Sequence, residues 1–291
     1  MKIRLSLFAA AIFLFPLCAL LLSGQELPQA NATDGSAALP ALLGIIALLN
    51  FTYLLDTLCF RRNGTSLLRT HPLYTLWLGT SGALLCALLA YLNAFSPLWV
   101  SPLSRTAEML LAPLFGGVLL PAVLVTRLWL SGFPMLLRGF TRTFALPAAH
   151  PEAAVSLLLL ASLIGLMGGA IWTAQLLGLL WLSPLLLLIA LQLLWHESTV
   201  FSGLKNGDWS RIVLGAASGI FVAGGTLFIY KLAGGALYLD VSAWFFTLLL
   251  GAFGLLCLQL GDVIAEQWRG KKRAEVFKKK PFPVPVIVKK D

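Results

Sequence analysis

Apolar residues arrive along this chain in blocks of eighteen or more, separated by short polar breaks. Blocks of that length match bilayer-spanning helices, which need about 20 apolar residues, better than the shorter segments of a globular core. Read between the breaks, they predict eight spans at about 5–23, 39–60, 72–94, 109–130, 153–173, 177–195, 212–231 and 241–261. The expected fold class is therefore an all-α integral membrane protein. Its expected units are a four-helix N-terminal repeat (1–148), a four-helix C-terminal repeat (149–268) and a basic cytoplasmic tail (269–291).

Charge orients the spans. Of 21 Lys and Arg, only Arg105 and Lys231 fall on the side of the loops after the first, third, fifth and seventh spans; the other 19 lie at the N-terminus, on or, for Arg127, just short of the alternate loops, and on the tail. Basic loops stay cytoplasmic, so both termini are expected inside a plasma membrane of bacterial inner-membrane type. The start Met1-Lys2-Ile3-Arg4 also fits a signal peptide, with Ala30-Asn31-Ala32 as a cleavage site. The 18 apolar residues from Leu5 to Leu22 are long for such a leader and the cut lies far beyond them, which favours a retained helix. Cleavage would leave seven spans with the same orientation for the rest.

Composition agrees with the pattern. The 291 residues are 59% hydrophobic and 11% charged, with mean hydropathy +0.89, against roughly 45–50% apolar and 25% charged in soluble domains. The longest segments between or after the spans are the 30 residues from Asp262, the connection 131–152 and the loop 24–38. None can bury a core of its own, so a soluble catalytic or nucleotide-binding domain is excluded.

The two halves of the chain can be laid over one another. Asp56-Thr57-x-x-Phe60, then Asn63-Gly64 and Arg69, parallels Glu197-Ser198-x-x-Phe201, then Asn206-Gly207 and Arg211. Tyr91 and Tyr230, Trp99 and Tyr238, and Trp129 and Trp268 are each 139 residues apart. Gly79-Thr80-Ser81-Gly82 likewise has a counterpart in Ala216-Ala217-Ser218-Gly219. These matches predict a duplicated four-helix unit, its copies running in the same direction about an axis along the membrane normal, where sites of repeat-built membrane proteins tend to lie. Chance matching in a chain this rich in Leu, Trp and Gly is the alternative.

Ionisable groups within spans cost roughly 2.5–3.5 kcal/mol each at the helix centre, and here they gather at one level. Asp56 lies five residues from Arg61, roughly 7–8 Å inside the cytoplasmic edge at 1.5 Å per residue. Arg127, His196, Glu197, Ser198, Asp208, Arg211, Asp262 and Glu266 fall near the same boundary. Two readings fit: a polar vestibule for an ionic or head-group-bearing ligand, in which Asp56 pairs with Arg127, or helix-end residues that snorkel to water and pair locally. Residues 195–211 are the densest polar stretch, and read either as a loop anchored by Trp195 and Trp209 or as a ligand-contacting loop.

Several motifs fail. His196-Glu197 opens like a zinc-protease H-E-x-x-H, but residue 200 is Val. The three histidines, at 71, 150 and 196, all fall near the boundary and do not suit paired haem ligation. Gly79-Thr80-Ser81-Gly82 resembles the G-x-S-G of rhomboid-type intramembrane proteases, yet no His matches the depth of Ser81. Gly165-x-x-x-Gly169 and Gly215-x-x-x-Gly219 fit close helix packing instead. Cys18, Cys59, Cys86 and Cys257 are isolated, so no disulfide framework, metal site or cofactor is expected.

The tail carries nine basic residues from Arg269 to Lys290 and one acid, Glu275. Arg269, Lys271, Lys272, Arg273, Lys278, Lys279 and Lys280 are expected to meet anionic lipid, at about 1 kcal/mol per charge near the surface. The Pro-containing run 281–288 is an alternative seat for a cytosolic protein partner, and nothing points to nucleic acid. The expected function is transporter-like handling of a small amphiphile or lipid through the cytoplasmic vestibule. Two alternatives are a non-catalytic subunit or scaffold binding a partner through 196–211 and the tail, and a lipid-head-group enzyme using His196 and Glu197 as acid and base.

Overall fold

The structure is a computed structural model that describes residues 34–141, 143–146 and 151–268. The first predicted span (5–23) with Cys18, the site at Ala30–Ala32, His150 and the tail residues from Arg269, including Lys271, Lys272, Arg273, Lys278, Lys279, Lys280 and the run 281–288, lie outside the described residues.

Among the described residues, six helices are long and apolar enough to cross a membrane, over Ala38–Asn63, Pro72–Phe95, Arg105–Ser131, Gln175–Leu194, Ser210–Leu232 and Ala243–Glu266. The fold class is that of an all-α, multi-pass membrane protein. In chain order the elements are α1 (Asp34–Asn63), the short α2 (Leu67–Thr70), α3 (Pro72–Phe95), β1 (Trp99–Val100), α4 (Arg105–Ser131) and α5 (Pro134–Phe140). They continue as α6 (Pro151–Leu163), a π-turn (Ile164–Gly168), α7 (Gly169–Ile171), α8 (Thr173–Leu194), α9 (Ser210–Leu232), β2 (Tyr238–Leu239) and α10 (Ala243–Trp268).

The predicted fifth span departs from a plain helix. Its apolar stretch Glu152–Gly168 is shorter than the other six, and the π-turn Ile164–Gly168 interrupts the α-helical ladder. The same segment packs closely on α8. Any Cβ on Gly165 would overlap the Ser183 hydroxyl, and one on Gly169 would meet the Leu180 side chain at 2.7 Å. Ser162 Oγ donates to the Ser183 carbonyl at 3.1 Å. The Gly165-x-x-x-Gly169 motif thus makes an intramolecular seam.

Helices pair in the same way in both parts of the chain. α3 lies along α4, and α9 along α10; α1 packs on α4, and α8 on α10. Across the middle, α4 meets α9 and α10 meets α3. α1 also packs on α9, a contact without an equally extensive counterpart between α8 and α3. Glycine permits both intimate pairs: a Cβ on Gly82 would collide with the Gly116 carbonyl, and one on Gly254 with the Gly215 carbonyl. In a bilayer, where hydrocarbon gives helices no hydrophobic reason to associate, such close approach carries the packing energy.

β1 and β2 cap one end of the bundle. Trp99 stands opposite Leu239 and Val100 opposite Tyr238, in antiparallel register. The Asn93 amide holds this turn, accepting from Leu98 N at 2.8 Å and Trp99 N at 3.2 Å and donating to Trp99 O at 3.0 Å. The connections after α1, α4 and α8 lie at the opposite end, which carries Arg61, Arg62, Arg69, Arg138, Lys205 and Arg211 and is called the basic end below.

Candidate functional site

At the basic end the polar residues are consumed by local structure. Asp56, 1% exposed, accepts from Leu67 N at 2.8 Å and Leu68 N at 3.3 Å. It therefore caps α2, a four-residue helix whose first N–H groups have no intrahelical acceptor. Ser66 adds its hydroxyl oxygen as acceptor for Arg69 N at 3.0 Å, and Arg69 donates to Thr57 Oγ1 at 3.1 Å. The expected Asp56–Arg127 pairing is replaced, because the acid beside Arg127 is Asp262.

Arg211 and Asp262 form an ion pair, each side chain about 25% exposed. Arg127 and Arg211 flank this one carboxylate, and Glu266 stands near it while accepting from Ser198 Oγ at 3.1 Å. Tyr74 ties α3 into the same level by donating to the Gly261 carbonyl at 2.9 Å. Of the expected vestibule, Arg127, Arg211, Asp262 and Glu266 with Ser198 come together; Asp56 and Asp208 do not join them by any hydrogen bond described. Asp208 instead accepts from Ser210 N at 2.9 Å, where α9 begins.

His196 is exposed and its backbone is left-handed (φ 54°). Its N–H bonds to Leu193 O at 3.1 Å and that of Glu197 to Gln192 O at 2.9 Å. This pair of bonds is the Schellman ending of a helix, where glycine is usual. The loop beyond is locked to residues 140–146. Trp209 N donates to Phe140 O at 2.9 Å, Thr143 N to Gly207 O at 3.1 Å and Leu146 N to Leu204 O at 3.0 Å. The Trp209 indole donates to Phe144 O at 3.0 Å and its ring lies 4.8 Å from that of Phe144.

The more suggestive feature lies near the other end. An open-mouthed cavity of about 270 Å³ is lined by α3, α4, α8, α9 and α10, with one residue of α1. Its wall is almost wholly apolar, including Leu89, Leu111, Phe115, Leu227 and Phe253. Its few polar groups come from the β1 turn and adjoining helices. The Trp99 indole donates to Glu108 Oε1 at 2.7 Å, and its ring stands 5.3 Å from that of Trp181. Glu108 sits in the first turn of α4, where the helix dipole favours an anion.

Ser101 Oγ and Trp181 Nε1, both buried on this wall, have no hydrogen-bond partner among the described residues. Sequence reasoning missed this site. Glu108 reads as an ordinary helix-start acid, and the wall residues look like any lipid-facing aliphatics.

Among the described residues no group of three or more His, Cys, Asp or Glu side chains could hold a metal ion. Comparison with known proteins finds no family model, no curated protein and no solved structure that matches the chain.

Proposed function

We propose that this chain is a polytopic membrane protein that holds a lipidic amphiphile in the cavity between its two halves. The hydrocarbon chain lies among Leu111, Phe115, Leu227 and Phe253, and the head group lies beside the Glu108–Trp99 pair. The cavity carries this reading, being an apolar chamber with a few convergent polar groups, the usual make-up of a ligand site.

The chain is proposed to cross a bacterial inner membrane eight times as two like-oriented quartets, basic end and both termini in the cytoplasm. The duplication is supported by the strand register. Trp99 pairs with Leu239 and Val100 with Tyr238; at the spacing of 139, Trp99 corresponds to Tyr238 and Val100 to Leu239. Each strand residue therefore faces its neighbour's counterpart, the pattern that a two-fold axis between the strands produces. The tail from Arg269 is proposed to lie against anionic lipid.

Transport of the amphiphile is favoured over a scaffold role. The loop proposed to bind a partner spends Leu204, Gly207 and Trp209 on residues 140–146, and its His196 serves a helix ending. The test is native mass spectrometry of protein purified in mild detergent, comparing the wild type with Ala112→Phe, which fills the chamber from α4. A retained lipid adduct in the wild type that is lost in the variant is expected; equal adducts in both overturn the assignment.

A further inference from the structure

Glu108 is the one acidic or basic residue lining the apolar cavity, and it takes part in no ion pair among the described residues. Arg105, three residues earlier on α4, turns to the Ala94 carbonyl at 3.4 Å instead. The carboxylate accepts from the Trp99 indole at 2.7 Å. At the basic end, by contrast, Asp262 has the guanidinium of Arg211. A carboxylate beside hydrocarbon loses part of the solvation that water gives it, and a counter-charge is what makes good that loss.

Aromatic rings gather at the same place. The Trp181 ring on α8 stands 5.3 Å from that of Trp99, inclined at 50°, and Tyr230 on α9 lies within electrostatic reach of Glu108. All three line the cavity. The Tyr230 ring is held by its phenol, which donates to the Ala236 carbonyl at 3.4 Å, and by Gly235, where any Cβ would overlap it. The three rings come from β1, α8 and α9, so tertiary packing assembles them around an acid from a fourth element.

We infer that the amphiphile held in this cavity is a cation, its ammonium group seated between the Glu108 carboxylate and the rings of Trp99, Trp181 and Tyr230. This rests on the reading of the cavity as an amphiphile site. An ammonium is attracted both by a carboxylate and by aromatic faces within about 6 Å, tryptophan most strongly, and the attraction grows where water is excluded. An anionic head group would be repelled by Glu108, and a neutral one would leave it without a counter-charge. From Glu108 to Leu119 the lining follows α4 for about 16 Å at 1.5 Å per residue, so a hydrocarbon chain can run from the carboxylate past Ala112 and Phe115 along apolar wall. An ethanolamine phospholipid and a single-chain amphiphilic cation present the same nitrogen chemistry.

The test uses the full chain purified in a nonionic maltoside detergent and three diazirine-bearing probes of one chain length, an alkyl trimethylammonium, an alkyl alcohol and an alkyl sulfate. Adducts are located by mass spectrometry at Phe115, Leu227 and Phe253, with the outward Leu84 and Leu248, 69% and 70% exposed, as controls. At equal concentration the ammonium probe should label the cavity about tenfold more than the alcohol, and the sulfate less than either. Glu108→Gln should bring the ratio of ammonium to alcohol labelling near one, Glu108→Asp should keep more of the preference, and Trp181→Leu should reduce it several-fold. A second pair of probes, phosphatidylethanolamine and phosphatidylglycerol with the diazirine in one acyl chain, separates the two sources. Preference for the ethanolamine lipid assigns a membrane lipid, and preference for the alkyl ammonium alone assigns a single-chain cation.

Equal cavity labelling by the ammonium and alcohol probes in the wild type, stronger labelling by the sulfate, or an ammonium preference that survives Glu108→Gln would each overturn the cationic assignment while leaving the cavity an amphiphile site. Labelling confined to Leu84 and Leu248 with every probe would remove the site and the inference together. If Glu108→Gln does not fold, the wild-type ratio of ammonium to alcohol labelling decides.

Discussion

Trp99 and Glu108 are joined across the cavity wall by a 2.7 Å bond from the indole N–H to the carboxylate. The pair links the β1 turn to the start of α4, and so fixes the geometry of the chamber from its rim. A charged acceptor makes such a bond about twice as strong as a neutral one. Glu108→Ala strands the indole N–H in a half-buried site and should cost about 1–3 kcal/mol. Glu108→Gln retains an acceptor oxygen and should lose less than half as much. Thermal unfolding in detergent, followed by tryptophan fluorescence, ranks the two.

Gly82 and Gly117 are both in the seam between α3 and α4, yet they differ in room. A Cβ on Gly82 collides with the Gly116 backbone, whereas one on Gly117 sits 3.6 Å from the Gly79 carbonyl, an ordinary contact. Gly82→Ala should therefore destabilise the bundle by about 1–3 kcal/mol, and Gly117→Ala should be tolerated. Gly254→Ala, in the corresponding seam of the second half, should behave like Gly82→Ala. Yield and melting temperature of detergent-purified variants check all three.

His196 occupies a left-handed position (φ 54°) that costs a residue with a Cβ about 1–2 kcal/mol, partly offset by the greater chain entropy of glycine, about 0.5–1 kcal/mol. His196→Gly should raise stability by up to about 1 kcal/mol, and His196→Val should lower it. If His196 were an acid or base, His196→Gly would abolish function whatever its effect on stability. Comparing lipid retention and melting temperature in this variant separates the roles.

Asp262 pairs with Arg211, and Arg127 stands near enough to act on both. Asp262→Asn leaves two neighbouring guanidinium groups without the carboxylate between their charges and should destabilise by about 1–3 kcal/mol. Adding Arg127→Met to that variant removes one of the like charges and should restore part of the loss. Arg127→Met alone leaves the Arg211–Asp262 pair in place and should cost less than Asp262→Asn. A thermal-shift comparison of the three decides whether the cluster acts as one unit.

Much of the architecture is readable in the amino-acid order, because long apolar runs and their flanking charges report membrane crossing directly. The Asn-Gly turns are another instance: Gly64 and Gly207 share a φ of 71°. Asp56 was misread for a physical reason. Its partners are backbone N–H groups of Leu67 and Leu68, donors that every sequence position offers and that no side-chain pattern reveals. The chamber was hidden differently, since Leu111, Phe115 and Leu227 face inward only by virtue of how six helices cross. Trp181 and Ser101 gain meaning there only when the wall around them is known.

The most direct measurement is photo-crosslinking with a diazirine-bearing fatty-acyl lipid in membranes containing the full chain, with adducts located residue by residue by mass spectrometry. The account predicts adducts at Phe115, Leu227 and Phe253, suppressed by Ala112→Phe. Adducts restricted to outward positions such as Leu84, Leu157 and Leu248, unaffected by that substitution, would contradict it.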